Sequence, residues 1–218
     1  MEAICPVLAR RQKRLMPVFD INGRRILFIH IPKNAGTSVS EYLGRHAPKR
    51  FDMPMQVYGR RLRPRHLHGA ALEQIFFAGM FDYAFMVVRN PLSRILSEYS
   101  YQRKQVGFHW QNFVGFDRWL DYSLQRRARN AWFRENHFRP QTEFECFGCE
   151  TFRIEDGLDR IIPRLREATG ARLDGGFKHD NVSAKSQVAP SERSLARIVE
   201  TYRGDFARYG YDLPGGAG

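Results

Sequence analysis

Two apolar runs, each ending in a turn that carries a cation, constrain the fold of this chain more than any other feature. "RILFIHI" occupies 25–31 and stops at Pro32, while "DYAFMVV" occupies 82–88 and gives way to Arg89, Asn90 and Pro91. Short continuous apolar runs fit strands that are covered on both faces. Asn90 before a proline disfavours helix at that point. Between the runs lie a helix predicted from Thr37 to about Arg45, a basic loop, and a second helix near 69–78. A connection of that length and content joins parallel strands.

The remainder extends the same pattern. "LSRILSEYSYQRK" sets Leu92, Ile95, Leu96 and Tyr99 on one helical face, and "FDRWLDYSLQRR" forms another amphipathic helix. Residues 126–150 show no clear periodicity. "TFRIED" reads as a strand, "GLDRIIPRLREATG" as a helix interrupted by Pro163, and "SERSLARIVETYRGDF" as the last helix. The expected architecture is α/β, a P-loop-like three-layer fold whose central, mostly parallel sheet is flanked by helices. With 218 residues, 43% hydrophobic, the chain suits one domain. Its expected span is 23–213, after a basic leader at 1–22 and before a flexible tail at 214–218.

A strand feeding a helix presents free N–H groups and the positive helix end at the strand's carboxyl edge. After the first run, Lys33 adds a cation, Gly36 allows close backbone approach, and Thr37 and Ser38 add hydroxyls; together these make a phosphate cradle. It is not a Walker A loop, because the lysine precedes the glycine and no glycine stands five residues before Gly36. After the second run, Arg89 leaves the strand and Ser97 follows eight residues later, about two helical turns along. Arg89 and Ser97 are placed to converge on a second anionic group, with Arg94 either joining them or solvated. Two such turns imply a ligand with two separated anionic ends.

"FIHIPKNAGTS" followed by "FMVVRNPLSRILSEY" resembles the carbohydrate sulfotransferases of the family-2 type, which include the heparan-sulfate 2-O-sulfotransferase group. Weaker similarity continues through "PQTEF", "NVSAK" and "YRGDFARYGYD". The resemblance implies a sulfotransferase using 3′-phosphoadenosine 5′-phosphosulfate (PAPS) and releasing 3′-phosphoadenosine 5′-phosphate (PAP). It implies donor contacts at Lys33, Asn34, Ala35, Gly36, Thr37, Ser38, Arg89, Ser97, Ser183 and Lys185. Asn34 and Ala35 stand where Thr and Gly or Ala are commoner in the family. Lys33 would neutralise the leaving group, with no metal required. "RPRHLHG" offers His66 and His68 as bases for the acceptor hydroxyl, matching a His-x-His pair in those relatives; His68 corresponds to the second histidine. Glu41 and Glu73 come next as base candidates. His30 reads as structural, and His109, His137 and His179 lack supporting context.

Charge narrows the partners. Thirty-five basic against 23 acidic residues give +12, a field that favours anionic ligands. Arg60, Arg61, Arg63 and Arg65 are placed to meet an acidic carbohydrate acceptor. The alternatives are a P-loop-type kinase, which would need a Mg²⁺-holding acid where this chain has Arg89-Asn90-Pro91, and a basic nucleic-acid binder, for which no module is recognisable. The expected partner is therefore a carbohydrate or other hydroxyl-bearing acceptor, with neither nucleic acid nor stable membrane insertion. The N-terminal stretch lacks the apolar core of a signal peptide, and three cysteines are too few for a disulfide scaffold, so a cytoplasmic setting is expected. Cys146 and Cys149 form a single C-x-x-C that reads as structural thiols, with a local disulfide as the alternative.

Overall fold

The structure, a computed structural model, describes residues 18–47, 66–104, 114–177 and 188–215, together with the backbone of short strands at 49–50, 55–57 and 60–62. In chain order the elements are β1 (Val18–Ile21), β2 (Arg24–Ile29), α1 (Gly36–His46), β3 (Lys49–Arg50), β4 (Met55–Val57) and β5 (Arg60–Leu62). There follow α2 (Gly69–Ile75), β6 (Tyr83–Val88), α3 (Pro91–Arg103), α4 (Phe116–Arg129), β7 (Glu150–Arg153), α5 (Ile161–Thr169) and α6 (Glu192–Arg208). Single 3₁₀ turns occupy Gln141–Phe144, Ile154–Asp156 and Leu158–Arg160.

The five-stranded sheet has the order β3-β1-β2-β6-β7. β2 pairs with β6 and β6 with β7 in parallel, whereas β1 is antiparallel to both β2 and β3. Four strands therefore point one way and only β1 opposes them, so the sheet is mostly parallel, as expected. Register matches Ile26 with Tyr83 and Ile29 with Met86.

The apolar runs are continuous because both faces are covered. Leu27, Ile29, Met86 and Val88 share a core with α2, α3, α4 and α6; Ile26, Phe28, Phe85 and Val87 share the opposite one with α1 and α5. Alternate residues of one strand thus serve alternate layers. Each fully buried side chain of this size contributes about 1.5–3 kcal/mol of transfer free energy. This is a three-layer α/β fold.

Several expectations change. The leader expected over 1–22 gives way at Val18, because Phe19 and Ile21 fill the sheet core as part of β1. The basic loop before the second helix contains β3 at the sheet edge and a β4–β5 hairpin. Pro163 does not interrupt a helix: it is the third residue of α5, where an amide has no intrahelical acceptor to lose. The expected tail begins with a turn at Pro214 and Gly215, and residues 216–218 lie outside the described residues. No helix among the described residues is long and apolar enough to cross a membrane.

Candidate active site

β2 and β6 are hydrogen-bonded neighbours running the same way, so the turns that follow them open at one sheet edge. The first turn is tight. Lys33 and Ala35 both adopt left-handed backbone, with φ of 71° and 56°. Ala35 is the N-cap of α1, yet no side chain caps that helix end. α3, by contrast, is capped by Asn90 Oδ1 on the Ser93 amide and carries proline at its start. The first amides of α1, from Gly36 to Ser38, are left without intrahelical acceptors, which is the arrangement that receives an anion. Thr37 is exposed and Ser38 buried.

Gly36 is required by its underside. A Cβ there would stand 1.9 Å from His30 Nε2, so the ring of His30 occupies the space a side chain would need. His30 is buried and stacks on Phe28 at 5.6 Å, a structural position as expected. Asn34 turns inward: its Nδ2 donates to Val87 O at 2.9 Å and to Gln141 Oε1 at 2.6 Å. Its side chain ties the first turn to β6 instead of facing outward with Thr37.

Gln141 joins the two turns. Its Oε1 also accepts from the Arg89 amide at 2.9 Å, and its Nε2 donates to Arg89 O at 2.8 Å. Asp205 of α6, fully buried, fixes Gln141 by accepting from its backbone amide at 2.8 Å and from Thr142 N at 3.0 Å. "PQTEF" and "YRGDF" are thus the two halves of one brace beneath both turns. The guanidinium of Arg89 lies against the first turn, with Nη1 donating to Lys33 O at 3.4 Å. Burial lowers the Arg89 pKa, opposed by Glu155. Ser97 is buried in α3.

Arg94 neither reaches an anion nor meets solvent. It is 1% exposed and donates to three carbonyls: Pro32 O at 3.1 Å, Arg139 O at 2.8 Å and His137 O at 3.0 Å. It clamps the first turn to the segment 137–139. One turn further along α3, Glu98 Oε2 pairs with His137 Nδ1 at 2.7 Å. Burial raises the Glu98 pKa, but His137, Gln102 and Lys33 outweigh it, and the carboxyl ends below its ordinary value. Burial lowers the pKa of Lys33 against the opposing pull of Glu98. Lys33 Nζ rests 3.9 Å from the centre of the Tyr101 ring, which in turn stacks on His137 at 6.3 Å.

The two expected bases separate. His66 is 6% exposed and lies edge-on between His30 (5.2 Å) and His137 (5.0 Å), with Nδ1 3.4 Å from Glu135. His68 precedes α2 and meets Trp132 at 4.8 Å. Its Nδ1 is sealed from solvent with no hydrogen-bond partner among the described residues. Burial, then Arg139, lowers its pKa to about 4. Among the described residues no group of three or more His, Cys, Asp or Glu is arranged to hold a metal ion. Cys146 and Cys149 are unbridged thiols, the first buried. Ser183, Lys185, His109, His179 and the side chains of Arg60, Arg61, Arg63 and Arg65 lie outside the described residues.

Sequence reasoning passed over Gln141, Glu98, His137 and Tyr101. A signal for some of them existed: Arg94, Glu98 and Tyr101 are spaced to share one face of α3. His137 sits in an aperiodic stretch and carried none. The two turns bring one lysine, one arginine and an uncapped helix start to the same sheet edge, with the Tyr101 ring between Lys33 and the His137 imidazole. No curated protein and no solved structure matches the chain. The profile of the sulfotransferase family matches residues 18–212, which take in both turns, the Gln141–Asp205 brace and the histidine cluster. The chain therefore belongs to the sulfotransferase family.

Proposed function

We propose that this sulfotransferase moves the sulfuryl group of PAPS to a hydroxyl of a carbohydrate acceptor. The observation that carries the reading is the adjacency of two cationic turns held by one glutamine: the uncapped α1 start with Lys33, and Arg89 at the end of β6. PAPS has a 5′-phosphosulfate and a separate 3′-phosphate, and these residues fit them in that order. The amides of Gly36, Thr37 and Ser38, the Thr37 and Ser38 hydroxyls and the Lys33 ammonium would hold the 5′ end. Asn34 and Ala35 shape that turn, and Arg89 and Ser97 would hold the 3′-phosphate; Ser183 and Lys185, the remaining donor contacts implied by the family resemblance, lie outside the described residues. When bound, PAPS supplies an activated sulfuryl group with a good leaving group.

Lys33 meets the negative charge that grows on the leaving oxygen; a half-buried ammonium is worth more there than in water. Arg89 and the helix start fix the donor so that attack is in line. The acceptor proton goes to an imidazole of the cluster that includes His66 and adjoins His68. The excess of basic residues favours an acidic glycan. The test is transfer of radiolabelled sulfate from PAPS to a panel of desulfated glycosaminoglycan oligosaccharides. Labelled saccharide supports the reading, whereas phosphate transfer from ATP to the same panel would favour the kinase alternative.

A further inference from the structure

We propose that His137, oriented by Glu98, is the base that takes the acceptor proton, an assignment that rests on the sulfuryl-transfer reading above. The argument is one of hydrogen-bond direction. Trp119 Nε1 can only donate, and it donates to Gln102 Oε1 at 2.9 Å. That fixes the Gln102 amide so that its Nε2 donates to Glu98 Oε1 at 2.6 Å. A carboxylate so engaged accepts at its other oxygen, so His137 Nδ1 carries the hydrogen that meets Glu98 Oε2. The neutral ring is left with its lone pair on Nε2. Nε2 makes no hydrogen bond among the described residues and is not sealed from solvent, and the ring keeps 15% of its surface open. His66 and His68 each have Nδ1 sealed.

The backbone of His137 is as firmly placed as its ring. Arg94 holds its carbonyl, and three successive left-handed residues, Arg134, Glu135 and Asn136, turn the chain sharply just before it. Non-glycine residues adopt that region at a cost and persist there where surroundings impose them. Here Asn136 is held by His66 O and by Arg139. The groups facing the imidazole are Glu98 and Tyr101 from α3 and His66 from the segment before α2, while the Arg94 guanidinium meets the backbone carbonyl of the same residue. Lys33 lies across Tyr101.

In the step, the acceptor O–H bond breaks and its proton passes to His137 Nε2 while the oxygen bonds sulfur. The sulfur–oxygen bond to PAP breaks with its electron pair left on the phosphate oxygen beside Lys33. Glu98 stabilises the imidazolium that results. His137 is the catalytic group and Glu98 a positioning residue.

Two measurements test this on the full chain. Nitrogen NMR of the histidine rings reads the tautomer: neutral His137 is expected as Nδ1–H, and Glu98→Gln, whose introduced amide donates to Nδ1, is expected to convert it to Nε2–H. An Nε2–H ring in the unmodified protein overturns the dyad whether or not an acceptor is known. Single-turnover conversion of PAPS to PAP, with water and with desulfated glycosaminoglycan oligosaccharides as acceptors, reads the chemistry. His137→Ala should slow it about 10²–10⁴-fold; Glu98→Gln should slow it similarly and Glu98→Asp should restore part, all with unchanged PAP affinity. A His137→Ala protein at the unmodified rate overturns the base assignment alone. Failure of the unmodified protein to bind PAP overturns the donor reading and the base role with it, leaving the tautomer to decide the dyad.

Discussion

Replacing Gln141 by leucine should loosen both cation-bearing turns at once, and the cost can be worked from its bonds. The side chain is fully buried, accepts from Asn34 Nδ2 and Arg89 N, and donates to Arg89 O. Leucine fills a similar volume, so the cavity term is small. Asn34 Nδ2 keeps Val87 O as an acceptor and suffers least. The amide and carbonyl of Arg89 lose their partners; each buried orphan costs about 1–3 kcal/mol. Arg89 is only partly buried, so water recovers some of this, and about 2–4 kcal/mol is expected. Urea unfolding should show a lower midpoint with unchanged slope. PAP affinity should fall as well, because the positions of Lys33 and Arg89 both depend on this residue. A loss under about 0.5 kcal/mol, the range for surface substitutions, would refute the brace.

Further outcomes follow from the same geometry. Lys33→Ala should reduce turnover about 10²–10³-fold, the scale for losing one charge-stabilising donor, while PAP affinity changes far less; single-turnover rates beside calorimetry separate the two. Arg94→Met leaves three carbonyls without their charged donor and should cost about 3–5 kcal/mol in urea unfolding, since such losses do not add fully; near-normal stability would show that the clamp is idle. His68, with its pKa lowered to about 4, binds fewer protons in the folded than in the unfolded chain between that value and about 6.5. Stability should therefore fall as pH drops through that window, and His68→Gln should flatten that part of the pH–stability curve. If His68 were the base, activity would rise near pH 4 and not near 6 to 7, so a pH–rate profile also tests its role.

The fold was legible where physics is local. Two continuous apolar runs separated by helix-forming sequence left few options other than parallel neighbours in a covered sheet. Lys33, Gly36 and Arg89 were legible as neighbouring turn residues, because each follows an apolar run and those runs became adjacent parallel strands. The second demand on Gly36 was not legible, since periodicity cannot show that His30 lies under it. β1 was missed because "VFDI" is short and follows a basic stretch, and its burial depends on β2 and β3. Arg94 shows the limit most clearly: the sequence gives a charge on a helix, and only tertiary structure supplies the three carbonyls that bury it. Gln141, Asp205 and His137 act through partners from 39 to 107 positions away, a separation no local pattern reports.

Calorimetric titration of the full chain with PAP and with adenosine 5′-diphosphate tests the paired-anion site most directly. The two ligands differ by the 3′-phosphate that Arg89 is proposed to receive. A charged hydrogen bond of about 1.5–3 kcal/mol corresponds to roughly 10- to 150-fold tighter binding of PAP, and Arg89→Ala should erase the difference. Equal affinity for the two in the unmodified protein would contradict a second anion site at the end of β6.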